Sequence, residues 1–348
     1  MSAVRFLHVS DLHVGALNAD GLPYAPAFYR RFVNGWLGHD PLALRACARL
    51  ARRLRRDGVP LHVVMTGDLT ARGDPDQFRT ATEFLQATTD DGPYPVGLRD
   101  AGAHDRTVPG NHDRWKGDYG FGTVWAFPHM VLPPTQAFHA LFDHLPATGD
   151  PVLSVLGLPP VRFVRIDTDA DVTTVRDRML ARGRFRSHLA GLDQRLPPKQ
   201  GGEVRVVLAH HCREVRGALE IDEDTRRDFD DFLVRHGADV LLSGHKHDAL
   251  LAQRTIEGDG TTRDVLYARC GTTAQLSPRD LRPKRLAGLD GTREAFAGYP
   301  KSVERSLFLH ELTRGESEVT WTTTGYVLDR QNQFRPSQTL SGAWSLAT

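Results

Sequence analysis

Five short stretches of this chain concentrate the residue types that hold metal ions: Asp11 and His13 in "DLH", Asp68 in "GD", Asn111, His112 and Asp113 in "GNHD", His210 and His211 in "HH", and His245 and His247 in "GHKH". Each follows an apolar run. Taken alone, any one of them reads as an ordinary polar turn. Taken together, five strand ends that supply carboxylate, amide and imidazole groups point to one shared site. Residues i and i+2 leaving a strand project to the same side, so Asp11 and His13 can reach one ion, and His245 and His247 one region. Gly67, Gly110 and Gly244 stand directly before candidates, where a sharp turn and close backbone approach are needed. Mixed oxygen and imidazole ligands suit Zn, Mn or Fe rather than Ca or Mg alone. The set is too large for one ion. A carboxylate such as Asp68 can bridge two cations about 3.5–4 Å apart, a spacing suited to in-line displacement at phosphorus.

The elements that must position these residues are legible from pattern. Apolar runs at 4–10, 60–66, 104–110, 161–167, 203–209, 238–243 and 264–270 read as strands. Helices are expected at 40–58, 74–86, 187–196 and 224–237. In the first, Asp40 caps, Pro41 takes the first helical position, and Ala43, Cys47, Leu50 and Leu54 line one face. Asp74 and Ser187 are expected to cap the second and third. From residue 306, "SLFLHEL" and "EVTWTTTGYVL" alternate like a hairpin. Strands alternating with helices predict an α/β fold, with ligands gathered at the carboxyl ends of the strands. Residues 18–40 read as an ordered loop. The aromatic segment 114–145 directly follows "GNHD" and reads either as a wall beside the site or as a satellite core.

Composition excludes several functions. The 348 residues carry a formal net charge of +1, and only five of the 44 basic residues are Lys. No global field draws the chain to nucleic acid or an anionic membrane. Cys47, Cys212 and Cys270 lie far apart without a CxxC, as expected in a reducing compartment. Neither a signal peptide nor an apolar run long enough to span a bilayer is found, so a cytoplasmic protein is expected. We read 1–348 as one domain, with a motif-bearing core of about 4–275 and a C-terminal hairpin and tail of about 306–348.

The ordered set "DLH … GD … GNHD … H … GHKH", spanning 4–250, resembles the calcineurin-like metallophosphoesterase superfamily. "YARCGTTA" (267–274) is similar to the strand that follows these motifs in many bacterial members. "SDLH", "GDLTARGDPDQF" and "GNHD" look most like its bacterial class III phosphodiesterase branch. The resemblance implies a four-layer αββα sandwich around two ions of the Fe/Mn/Zn type. It assigns Asp11, His13, Asp68 and His247 to the first ion and Asp68, Asn111, His210 and His245 to the second, with Asp68 shared. It implies that His112 protonates the leaving oxygen, that Asp113 orients it, and that a bridging water supplies the hydroxide. Arg114 and His211 are candidates to touch substrate, whereas Lys246 reads as a solvated turn residue. The expected substrate is a small phosphodiester: a cyclic nucleotide, a nucleotide diester or a glycerophosphodiester. The alternatives are a phosphomonoesterase, including a protein phosphatase, and a non-catalytic scaffold. A scaffold would lack ligands, and here every position is filled. The near-neutral charge disfavours a DNA-repair nuclease.

Overall fold

The computed structural model describes residues 2–15, 38–86, 97–114, 126–131, 133–142, 151–179, 181–213, 221–275, 304–315 and 318–346. Its strands are β1 (Ala3–Val9), β2 (Leu61–Thr66), β3 (Thr107–Val108), β4 (Val152–Leu153), β5 (Val161–Ile166), β6 (Val204–Ala209), β7 (Val240–Ser243), β8 (Leu250–Gly258), β9 (Thr261–Arg269), β10 (Ser306–Arg314), β11 (Val319–Leu328) and β12 (Phe334–Leu346). They form two six-stranded sheets, in the orders β12-β11-β10-β1-β2-β3 and β4-β5-β6-β7-β9-β8. The pairs β1–β2, β2–β3, β5–β6, β6–β7 and β7–β9 are parallel. Their carboxyl ends therefore share an edge within each sheet, and the motif residues follow β1, β2, β3, β6 and β7.

Alternation along the strands sorts side chains between the faces. Val206, Leu208, Val240 and Leu242 join the core that includes Phe6 and Trp321 of the first sheet, whereas Val207, Ala209 and Leu241 join Leu189, Phe229 and Phe232 of the covering helices. Phe6 meets Phe163 edge-on across the two sheets at 5.5 Å and stacks on Trp321 at 5.6 Å. Each fully buried ring of this kind contributes about 1.5–3 kcal/mol. Helix Pro41–Arg55 packs on β2 and β12, and helix Glu223–Arg235 on β8 and β9. The layers run helix, sheet, sheet, helix, as expected. Among the described residues, no helix is long and apolar enough to cross a membrane.

Several elements depart from expectation for local reasons. The strand expected at 104–110 is reduced to Thr107–Val108, because Ala103–Arg106 winds into a 3-10 turn. There the Arg106 guanidinium donates to both carboxylate oxygens of Asp100 and to the Val63 carbonyl, and Pro109 has no N–H to continue a ladder. Ser187 is not a helix cap: the helix is Arg186–Asp193 after Phe185, and the Ser187 hydroxyl and N–H both donate to Asp171. The last expected helix is Glu223–Arg235, capped by Asp222. The C-terminal hairpin gains a third strand, β12, which pairs with β11, and β8 forms the edge of the second sheet. Of 18–40 only Gly38–Asp40 is described. Within 114–145, helix Gln136–Phe142 buries Phe138 and Phe142 against each other and packs Phe142 on Phe78. Both rings belong to the main core together with Phe78 and Phe84, not to a separate satellite cluster. Trp115, Tyr119, Phe121 and Trp125 lie outside the described residues.

Candidate metal centre

The loop after β1 aims Asp11 through a division of its two oxygens. Oδ2 accepts from the Ser10 hydroxyl at 2.6 Å and from the His245 N–H at 3.1 Å. Oδ1 is buried without a hydrogen-bond partner, 3.1 Å from His247 Nε2 and 3.7 Å from His13 Nε2. His13 Nε2 in turn lies 3.6 Å from Asp68 Oδ2. One ligand atom from each of Asp11, His13, Asp68 and His247 falls within 4.8 Å of the others. The same Asp68 Oδ2 is 3.4 Å from His210 Nε2, which is 3.1 Å from Asn111 Oδ1 and 3.2 Å from His245 Nδ1. Two groups of donors thus meet at one carboxylate oxygen. The other oxygen of Asp68 is fixed by the His112 N–H at 2.8 Å.

The backbone is bent to achieve this. Asp11, His13, Asp68, His245 and His247 all sit at positive φ, between 48° and 74°, a region that costs non-glycine residues on the order of 1–3 kcal/mol each. Five strained residues at one site are tolerated because the loops hold one another. Asp11 N–H donates to the Gly67 carbonyl, and His13 N–H to that of Asp68. Two glycines permit the close approach: a Cβ at Gly110 would stand 2.8 Å from Asp68 Cγ, and one at Gly244 would stand 2.7 Å from Asp11 Oδ2.

Comparison with known families matches residues 4–249 to the calcineurin-like phosphoesterases. The chain belongs to the calcineurin-like phosphoesterase family. It is a metal-dependent hydrolase of phosphoric esters. Among solved structures it is similar to a dimetal phosphatase from Danio rerio (14% identity over 92% of this chain and 95% of that one, TM-score 0.44). It is also similar to GAP50, the anchor in the inner membrane complex of Plasmodium (12% identity, 100% and 89%, TM-score 0.43), and to Vps29 complexed with zinc from Entamoeba histolytica (12% identity, 98% and 99%, TM-score 0.32). Comparison with curated proteins gives no match.

In this phosphoesterase the two donor groups fit metal ions. The separations of 3.1–3.7 Å between ligand atoms bracket the edge of about 3.3 Å expected for a tetrahedron with metal–ligand distances near 2.0 Å. Asp11 Oδ1, both ring nitrogens of His13 and His245 Nε2 are buried without hydrogen-bond partners, a condition that native proteins otherwise avoid. Electrostatics agree. Burial disfavours the charge of Asp68, yet His210 and His112 outweigh it and hold the carboxyl well below its usual range. Burial likewise opposes a charged His210, but Asp68 and Asp11 raise its pKa to about 10. Without a cation, the proton on His210 supplies the positive charge the carboxylates demand. Burial pushes His245 down to about 3 and His112 down to about 4, leaving both rings neutral.

Two expected side-chain placements differ. Asp113 does not orient His112: its oxygens accept from the N–H groups of Leu69, Thr70 and Gly110 and from the Thr70 hydroxyl, so it braces the loops that carry Asp68 and Asn111. His112 is oriented instead by the Ala71 carbonyl, to which Nδ1–H donates at 2.9 Å. That fixes the tautomer and leaves Nε2 bare. His211 is buried with both ring nitrogens engaged. Its Nε2–H donates to the Ala181 carbonyl, its Nδ1 bonds the Thr168 hydroxyl, and its ring packs 4.2 Å from that of His245. Arg114 is ion-paired with Asp167 and lies over the Phe138 ring. Lys246 is exposed, as expected. The sequence reading missed a further strand end, β5, which delivers Asp167, Thr168 and Asp169. Asp169 is buried, and burial together with Asp167 pushes its carboxyl up to about 8. The rule applied to the other strand ends would have found "DTD" too. Ser10 and Thr272, whose hydroxyls hold Asp11, carry no comparable signal.

Proposed function

We propose that this phosphoesterase hydrolyses small phosphodiesters. One observation carries the reading: the cation adjoining the "GNHD" motif, Arg114, is already occupied by Asp167, and Lys246 is exposed to solvent. A monoester brings an additional negative charge, and its recognition is usually met by cationic side chains beyond the metals. A diester needs none.

Asp11, His13, Asp68 and His247 would hold one ion, and Asp68, Asn111, His210 and His245 the other. When bound, such a pair supplies Lewis acidity toward phosphoryl oxygens and water. His112 supports the leaving group. With Nδ1–H bonded to Ala71, its Nε2 is the atom that takes up a proton as the anionic substrate arrives and gives it to the departing oxygen. Asp113 keeps the Asp68 and Asn111 loops in register, and Arg114, steadied by Asp167, borders the same site. A scaffold reading is disfavoured because every ligand position is filled. The three cysteines, buried and unpaired, support a reducing, cytoplasmic setting, and the pairing of β10 with β1 supports one domain over 1–348.

The test compares bis(p-nitrophenyl) phosphate with p-nitrophenyl phosphate, which share a leaving group, at neutral to mildly alkaline pH with Mn²⁺ supplied. The reading expects higher kcat/KM for the diester. A clear preference for the monoester would move the assignment to a phosphomonoesterase.

A further inference from the structure

We propose that a one-way hydrogen-bond chain through the first sheet, from Trp321 through His310 and His8 to Thr66, positions His210 for the second metal set. The proposal rests on the assignment of His210 as a ligand. The chain crosses four strands on the face turned toward the second sheet. Trp321 Nε1–H donates to His310 Nδ1 at 3.3 Å, His310 Nε2 lies 3.4 Å from His8 Nδ1, and His8 Nε2 lies 2.9 Å from the Thr66 hydroxyl. Thr66 then presents its carbonyl to His210 Nδ1–H at 2.8 Å and to the Ser10 hydroxyl at 3.1 Å. His8, His310, Thr66 and Trp321 are all fully buried.

The direction of the chain follows from its first member. Indole nitrogen only donates, so His310 Nδ1 must accept. A neutral His310 then carries its proton on Nε2 and donates to His8 Nδ1. His8 in turn carries its proton on Nε2 and donates to Thr66. The Thr323 hydroxyl, 2.8 Å from the same His310 Nδ1, donates as well. From Trp321 to Thr66 every hydrogen bond is donated in the same direction, whereas the Thr66 carbonyl accepts from His210 and Ser10 on the metal side, and both imidazole tautomers are determined without a charge.

Stability alone does not account for this arrangement. The neighbours on that face are Phe6, Phe308 and Leu312, and apolar side chains would fill the same space without burying two imidazoles. What the chain achieves is orientation. Gly67 follows Thr66 at φ 94°, in the left-handed region open to glycine, so the peptide carrying the Thr66 carbonyl lies next to a residue whose backbone no side chain restrains. Holding the Thr66 side chain from the sheet side anchors that carbonyl. The carbonyl then sets the His210 ring so that Nε2 faces Asp68, Asn111 and His245. His8 and His310 are positioning residues, acting through Thr66.

The experiment titrates Mn²⁺ alone into metal-free protein by calorimetry. Thr66→Val keeps the shape and removes the hydroxyl, and Thr66→Ser restores it. Loss of such outer support typically weakens metal affinity about 10–100-fold, so Thr66→Val should weaken one of the two ions by that factor, and Thr66→Ser should stay within about threefold of the wild type. ¹⁵N spectra of the imidazoles provide a readout independent of metal and turnover. They should show both His8 and His310 protonated on Nε2, with His310 losing that preference in Trp321→Phe. If Thr66→Val fails to fold, the tautomers and the Trp321→Phe titration decide. Two ions bound by Thr66→Val with wild-type affinity, or either ring protonated on Nδ1, would overturn the proposal. His210→Ala separates the levels: retention of both ions there would overturn the ligand assignment itself.

Discussion

Gly110→Ala probes the geometry of the centre with a single methyl group. The added Cβ would overlap Asp68 Oδ1 and the Asp68 backbone nitrogen and stand 2.8 Å from Asp68 Cγ, and bringing the Cγ contact alone to the 3.4 Å where ordinary van der Waals contact begins moves the carboxylate by at least about 0.6 Å. Metal–ligand distances tolerate about 0.2 Å. The required shift is therefore at least roughly three times what the bridging position allows, and it also strains the His112 N–H bond to Asp68 Oδ1. Because Asp68 Oδ2 is the atom common to both donor groups, both ions should weaken together. A misplacement of this scale at a catalytic site typically lowers turnover on the order of 10²-fold. Elemental analysis and kcat measured on the same preparation check this. Gly201→Ala serves as the control, since a Cβ there meets nothing within 4 Å. Full metal content and kcat within about threefold of the wild type in Gly110→Ala would refute the claim that Asp68 is held by steric contact at that distance.

His112→Ala should retain both ions and lose about 10²–10⁴-fold in turnover, most for poor leaving groups; loss of metal instead would show that His112 is a ligand. Asp113→Asn should destabilise the fold by about 1–3 kcal/mol, since an amide replaces an acceptor of four hydrogen bonds, and thermal melts should register this even in metal-free protein. Metal binding should release protons. In the metal-free chain the His210 pKa is raised to about 10, so the stability this proton provides is present in full below the ordinary histidine value and is lost as pH rises through about 10. A metal takes only the neutral ring, so at pH 7.5 filling the His210 site should displace about one proton, and its apparent affinity should climb as pH rises toward 10. Calorimetry in buffers of different ionisation enthalpy reads that number; a value of zero contradicts it.

The metal-bearing loops were the most legible part of the sequence. Asp11, His13, Asp68, Asn111, His210, His245 and His247 announce themselves because a strand end offers few reasons to choose imidazole and carboxylate repeatedly. The strands before them read clearly because buried parallel strands are nearly continuous apolar runs. What the pattern could not convey is how each polar group is shared. Asp113 next to His112 suggested a pair, yet neighbours in sequence on a short helix point in different directions, and the Asp113 carboxylate turned to four donors on other loops. His211 beside His210 suggested a second contact to substrate, but adjacent residues leaving a strand face opposite ways, and its nitrogens met Thr168 and Ala181. Strand β12 was hidden because its polar, half-exposed sequence resembles a tail until β11 provides an edge to pair with. The chain from Trp321 to Thr66 is invisible in sequence because its bonded neighbours His8 and His310 lie 302 residues apart and meet only across the first sheet, where register decides contact.

The most direct test of the central claim is reconstitution of metal-free protein with Mn²⁺, following bound metal, the magnetic coupling of the bound ions, and hydrolysis of bis(p-nitrophenyl) phosphate in one titration. The account predicts two ions per chain, a spin-coupled pair that reports a shared ligand, and activity that rises as the pair forms. The same titration of Asp68→Ala should show neither the coupling nor the activity. Full hydrolysis after exhaustive metal removal, or a fully active Asp68→Ala, would contradict it.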